Sequence, residues 1–167
     1  MHLSSAVRPL RAAALTLALA LLATADGAPP PDSPWSPPVP GRVVAAFHRP
    51  PERWLAGHRG LDLRAEELDP VRAPRDGLVT FAGVVVDRPV LVVAHADGTR
   101  STLEPVRSTA AVGTSVERGD VVGHVGAHPG HCAPDTCVHW GVRVGDDYLD
   151  PALLLAEVRI VLLPLRA

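Results

Sequence analysis

The chain has 167 residues, a formal net charge of −2 and 47% hydrophobic residues. It contains no Lys, and its 16 Arg form no cluster dense enough for a nucleic-acid footprint, so nucleic acid is excluded as a partner. Lys, Asn and Gln are all absent and Ile160 is the single Ile, a bias that points to a GC-rich bacterial genome.

The N-terminus reads as a secretion signal. Arg8 and Arg11 precede an uncharged Ala/Leu stretch at 12–25, and Ala23-Thr24-Ala25 fits the small-x-small cleavage rule. Residues 1–25 are therefore expected to be removed and the protein to be secreted, either extracellular or in the cell wall. The apolar run is shorter than the ~20 residues of a membrane span, so no span is expected after cleavage. An uncleaved anchor is the alternative. Residues 26–167 are the length of one ordinary domain. Seven prolines fall within positions 29–40, so 26–40 reads as a stiff linker that leads into a domain at 41–167. Trp35 is placed to pin that linker to the domain.

From Gly41 onward, short apolar runs alternate with Gly and Pro. Segments 41–48, 61–65, 77–86, 90–95, 100–106, 120–125 and 137–144 read as strands. Asp97-Gly98 marks a hairpin turn between two of them. Segment 151–157 reads as a short helix capped by Asp150, and 157–165 as a final strand. No other stretch has a helical period, so the class is all-β. A Gly/Asp turn followed by a Val-rich strand occurs twice, at Asp76-Gly77-Leu78-Val79 and at Gly119-Asp120-Val121-Val122. That echo agrees with a duplicated sheet unit.

Two segments carry the chemistry, His58-Arg59-Gly60-Leu61-Asp62 and Cys137-Val138-His139-Trp140-Gly141. Each alternates in polarity, so each reads as a strand with one face in a core and one presenting His or Asp. Together they supply two imidazoles and a carboxylate, the ligand set of an open catalytic zinc site. A straight strand would hold His58 and Asp62 about 13 Å apart. One ion therefore requires a turn near Gly60, which the conformational freedom of Gly permits. On these residues alone, ordinary surface groups remain the alternative. His131 and Asp135 repeat the spacing, but the intervening Pro134 and the lack of alternation indicate a loop. In an oxidising compartment Cys132 and Cys137 are expected to form a disulfide that contributes about 2 kcal/mol. The rival reading is a reduced pair that shares a metal with His131 and His139. His95 lies in a turn context and reads as structural, while His48, His124 and His128 carry no signal.

The ordered set of motifs resembles the lysostaphin-type zinc endopeptidases of bacterial peptidoglycan, a family also found as cell-wall hydrolase regulators. The resemblance covers about 41–151. It rests on His58-x-x-x-Asp62, Val71-Arg72-Ala73-Pro74 with Asp76-Gly77 and Val79, and Val92-Val93-Ala94-His95 with Gly98. Val112-Gly113-x-x-Val116-x-x-Gly119-x-x-Val122-Gly123 and the strand that ends in His139 complete it. The resemblance implies an open, two-sheet, sandwich-like or barrel-like domain of the duplicated hybrid-motif type. It also implies one Zn2+ on His58, Asp62 and His139 in a groove, with peptidoglycan peptides as substrate.

Two departures stand out. The family usually carries His-x-His on the last strand, and here the first position is Cys137. A further catalytic His usually follows an aromatic residue by two, and here Pro105 takes its place. Glu104 and His131 are the candidate substitutes, against the alternatives of an exposed strand residue and a loop residue. Arg143 shares a strand phase with His139, where it would either meet a substrate carboxylate or be solvated. The sequence thus supports an exported zinc metalloendopeptidase. The competing readings are a catalytically degenerate wall-binding module or regulator with a cell-wall hydrolase as partner, and a β-domain without metal.

Overall fold

The structure, a computed structural model, describes residues 34–128 and 132–155. The expected signal segment, residues 26–33 of the expected linker, His131 and the expected strand at 157–165 lie outside the described residues. Within them the strands are β1 (Val43–Ala45), β2 (Leu61–Arg64), β3 (Pro70–Arg72), β4 (Gly77–Val85), β5 (Arg88–Ala94), β6 (Thr99–Glu104), β7 (Val106–Ser108), β8 (Ser115–Val116), β9 (Val121–Val125), β10 (Cys137–Val144) and β11 (Asp147–Leu149). One short helix, α1 (Pro151–Leu155), follows. The larger sheet runs β1-β2-β10-β6-β5-β4-β8, with β11 paired to β10, and the smaller runs β3-β9-β7. The architecture is all-β with two antiparallel sheets, and neither closes into a barrel.

Alternation in β10 explains how the sheets meet. Val138, Trp140 and Val142 are fully buried, and Leu63 of β2 and Leu103 of β6 flank them on the same face. Val71, Val106, Val122 and Val125 of the small sheet join them in one core. Each such side chain contributes about 1.5–3 kcal/mol of gross burial energy. The opposite face of β2, β10 and β6 is left for chemistry.

The packed body begins earlier than the expected boundary at Gly41. Trp35 and Val39 are buried in the core. The Ser36 N–H donates to Pro74 O (2.9 Å), and the Arg72 N–H donates to Pro38 O (2.9 Å). Proline cannot donate, but its carbonyl accepts, so this extended segment lies along the domain and is held there.

Several expected strands are redrawn. Segment 41–48 pairs only at Val43–Ala45, with a register shift, and His48 meets His58 through an isolated bridge. Segment 100–106 breaks at Pro105, which has no N–H for the ladder. The chain changes sheets there, from β6 to β7. Strands β3, β8 and β11, of two or three residues, were too short to show a period. The two halves of the sequence echo lie in different sheets, in β4 and β9. The Asp97-Gly98 hairpin joins β5 to β6, with Gly98 at φ +83°. Asp150 caps α1 by accepting the Ala152 N–H at 2.9 Å. No helix among the described residues is long and apolar enough to cross a membrane.

Behind β10 lies a satisfied polar network. The His95 Nδ1–H donates to Asp76 O (2.9 Å), and Ser101 Oγ–H donates to His95 Nε2 (2.9 Å). The Trp140 Nε1–H donates to Ser101 Oγ (3.2 Å). Burial pushes the His95 imidazole below its ordinary value, outweighing its bond to the Asp76 carbonyl and the Asp97 charge. His95 is therefore a structural group that secures Trp140, the neighbour of His139 on the opposite face.

Candidate active site

The central position of β10 decides the site. His139 pairs with Asp62 of β2 on one side and with Glu104 of β6 on the other. These three side chains form a row across the open face of the sheet. His58 enters from the segment before β2. His58 Nε2 lies 3.1 Å from Asp62 Oδ1 and 3.1 Å from His139 Nδ1. His139 Nδ1 lies 2.8 Å from Asp62 Oδ1. Three donor atoms thus form a near-equilateral triangle. Asp62 is fully buried. A buried carboxylate and two imidazole nitrogens at this spacing require a shared proton or cation between them.

The bend that closes this triangle falls at Gly60, as expected, but for a different reason. Gly60 is not among the glycines of positive φ. A Cβ there would stand 2.4 Å from Trp140 O and 2.8 Å from His139 Nε2. The position needs Gly because the backbone passes directly over β10.

The ring of His58 is oriented from behind. Its Nδ1 lies 2.7 Å from Ala46 O. A carbonyl only accepts, so Nδ1 carries the hydrogen, which leaves Nε2 as the ring atom that faces the triangle. Ligands of a tetrahedral zinc at about 2.0–2.1 Å stand about 3.3–3.4 Å apart. The observed edges are slightly shorter, so the donors fit one zinc with a small opening of the triangle. The donor set, two imidazoles and one carboxylate, suits that metal.

Cys132 and Cys137 form a disulfide, which removes the reduced-pair alternative. Cys132 Sγ lies 3.7 Å from Asp62 Oδ2. The bridge therefore backs the carboxylate oxygen that faces away from the triangle. Pro105 is buried and offers no proton-transfer group. Glu104 is a groove residue and not a solvated one. It is 18% exposed and accepts from the Arg88 Nε–H at 2.8 Å. That hydrogen bond, and then the charge of Glu104, holds the Arg88 guanidinium above its ordinary value. Arg143 is half-buried, two strand positions beyond Gly141 on the face of His139.

Depressions lie on both sides of the triangle. One is lined by His58, His139, Arg88, Glu104 and Tyr148. The other is lined by Asp62, Val44, Cys132, Asp135 and Thr136. Arg59, Arg88 and Tyr148 escaped the sequence reading. Tyr148 is the single Tyr of the chain, which was the one available signal.

The sequence profile of peptidase family M23 matches residues 56–151, more than half of the chain and all three donor residues. The chain belongs to peptidase family M23. Members of this family are zinc metallopeptidases. An uncharacterized protein of Mycobacterium tuberculosis is 39% identical over 136 residues, which is 78% of this chain and 54% of that protein. The chain thus spans about half the length of the curated relatives it matches. A crystal structure of a candidate M23 peptidase from Pseudomonas aeruginosa superposes with TM-score 0.62 and 28% identity, covering 75% of this chain and 52% of that one. The catalytic domain of lysostaphin from Staphylococcus simulans shares the fold at TM-score 0.58 and 19% identity, covering 70% of this chain and 93% of that one. A zinc-containing peptidase of Vibrio cholerae shares it at TM-score 0.54 and 19% identity, covering 66% and 35%.

Proposed function

We propose that this M23 chain is an exported zinc-dependent endopeptidase that cleaves peptide bonds in bacterial peptidoglycan. The observation that carries the proposal is the donor triangle of His58 Nε2, Asp62 Oδ1 and His139 Nδ1, with edges of 2.8–3.1 Å. His58, Asp62 and His139 would hold the ion. Zinc in such a position supplies a Lewis acid and lowers the pKa of water toward about 7. The residues of the chain supply the rest. Ala46 O keeps His58 in the ligating tautomer. The Cys132–Cys137 bridge and the β2–β10 ladder hold Asp62. Separate depressions on the two sides of the triangle would accept chain on either side of the bond, which favours internal cleavage over trimming of an end.

A positioned general acid or base adds about 10²–10⁴-fold to such a reaction. Cys137 is bridged, Pro105 is inert and Glu104 is bound to Arg88. Those observations favour a slow enzyme. They are also the ground for the second reading, a degenerate wall-binding module or a regulator with another cell-wall hydrolase as partner.

The two readings separate in one experiment. Zinc-loaded protein is mixed with purified cell walls, and loss of turbidity is followed beside a His139→Ala control. The endopeptidase clears the walls and releases new amino termini, and the control does not. Equal behaviour of the two proteins removes the enzyme and leaves the regulator.

A further inference from the structure

A shallow trough runs from the donor triangle along β10. His139, Gly141 and Arg143 share the open face of this strand, in alternation with the buried Val138, Trp140 and Val142. Gly141 has no side chain and is buried, with the Arg59 carbonyl 3.3 Å from where its Cβ would stand, so the strand itself carries no side chain between His139 and Arg143. At the far end Arg59 and Tyr148 line both this trough and the cleft that continues it, where Arg143 joins them.

The far end has an unusual charge arrangement. The guanidinium groups of Arg59 and Arg143 both lie over the single ring of Tyr148, 5.8 and 6.0 Å from its centroid. The ring quadrupole attracts each cation, yet the two cations repel each other in a half-buried place. Both are oriented by backbone carbonyls. Arg143 Nε–H donates to Gly145 O (3.0 Å), and Arg59 Nη2 donates to Arg53 O (2.9 Å) and Leu55 O (3.0 Å). Arg143 Nη1 and Arg59 Nε and Nη1 have no acceptor among the described residues. The nearest acid on Arg143 is Asp146, 3.9 Å from Nη2 and 76% exposed, which lies closer to Arg53, at 3.1 Å. An exposed pair of that kind contributes little and gives way readily.

From this we infer that Arg59, Arg143 and Tyr148 form a carboxylate-binding subsite, and that the substrate is a peptide with a free carboxylate a few residues from the bond to be cut. Paired planar guanidinium forks match a carboxylate and not a neutral amide. Four residues of strand separate His139 from Arg143 by about 13 Å. The recognised carboxylate therefore lies within about four extended residues of the scissile bond. This inference rests on the peptidase reading for the word substrate, and the subsite itself is tested without turnover.

The probe is a cell-wall stem peptide in two forms, one with free carboxylates and one with carboxylates amidated. Binding of each is measured by calorimetry on the full His139→Ala chain, whose folding is checked by circular dichroism, and hydrolysis is measured separately on the wild type. The free form is expected to bind at least tenfold tighter than the amide. That ratio is expected to fall toward one in Arg143→Gln and in Arg59→Gln, and to shrink as salt screens the charges. Equal binding of the two forms, a ratio that survives both substitutions, or no binding of either form to a folded chain overturns the subsite. A preference for the free form with no cleavage by wild type overturns the enzyme and leaves the subsite standing. Cleavage with equal binding does the reverse.

Discussion

Asp62 and His139 face each other across the antiparallel β2–β10 ladder, with Oδ1 2.8 Å from Nδ1. Register alone creates this contact. A slip of one residue would send every side chain of β2 to the other face and bring a leucine to His139. The core prevents the slip, because Leu61, Leu63, Val138 and Trp140 are all buried.

Zinc is expected to stabilise the folded chain. An ion present at a thousandfold excess over its Kd adds about 4 kcal/mol to the native state. Scanning calorimetry is expected to show a higher Tm with zinc for wild type and no rise for Asp62→Ala or His139→Ala. A rise that persists in both variants would place the ion elsewhere.

Gly60→Ala is expected to damage the donor set without touching a ligand. The new methyl would lie 2.4 Å from Trp140 O and 2.8 Å from the His139 ring. Overpacking of this kind costs about 1–3 kcal/mol. Denaturant unfolding is expected to show that loss, and zinc titration a weaker affinity. Unchanged zinc affinity would show that the His139 ring has room to move.

His95 makes the fold sensitive to acid. Its burial favours the neutral ring, so its folded pKa lies below the ordinary 6.5. The unfolded chain therefore takes up a proton first as pH falls. Stability is full above about pH 6.5 and declines as pH drops from there toward the lowered folded value. Urea midpoints measured from pH 8 to pH 5 are expected to fall more steeply for wild type than for His95→Gln. Parallel profiles would remove His95 as the cause.

The tip of the β4–β5 hairpin stores strain. Val86 has φ +60°, and the Asp87 N–H donates back to Val85 O at 2.8 Å. A β-branched residue pays heavily in that region, about 1–2 kcal/mol. Val86 is also 92% exposed, so its side chain returns nothing by packing. Val86→Asn is expected to raise stability by about 1 kcal/mol in denaturant unfolding. A lower stability would show that the valine is held for another reason.

Much of the frame was legible before any coordinates. The strands around 77–86, 90–95 and 120–125 were readable as short Val-rich runs bounded by Gly and Pro, and 137–144 from its alternation, all of which are local properties of the chain. The residues His58, Asp62 and His139 could be named from alternation and the resemblance to lysostaphin-type enzymes. Strands β3, β8 and β11 were not legible, because two or three residues cannot express a period. Segment 41–48 looked like one strand because its composition suits β structure, yet an edge position leaves most of it unpaired. Glu104 looked solvated because its partner, Arg88, is supplied by a different strand.

The sequence by itself determined the all-β class and the alternation that exposes one face of β10, and, with the family resemblance it carries, it named His58, Asp62 and His139 as candidate ligands. Only the tertiary structure decided that their atoms converge to 2.8–3.1 Å, that Gly60 is required by close approach to β10, and that Arg59 and Arg143 share the ring of Tyr148. The reason is one of range. Periodicity and turn chemistry act over a few neighbouring residues, whereas the donor triangle depends on register between strands 77 residues apart in sequence, which packing of the shared core enforces.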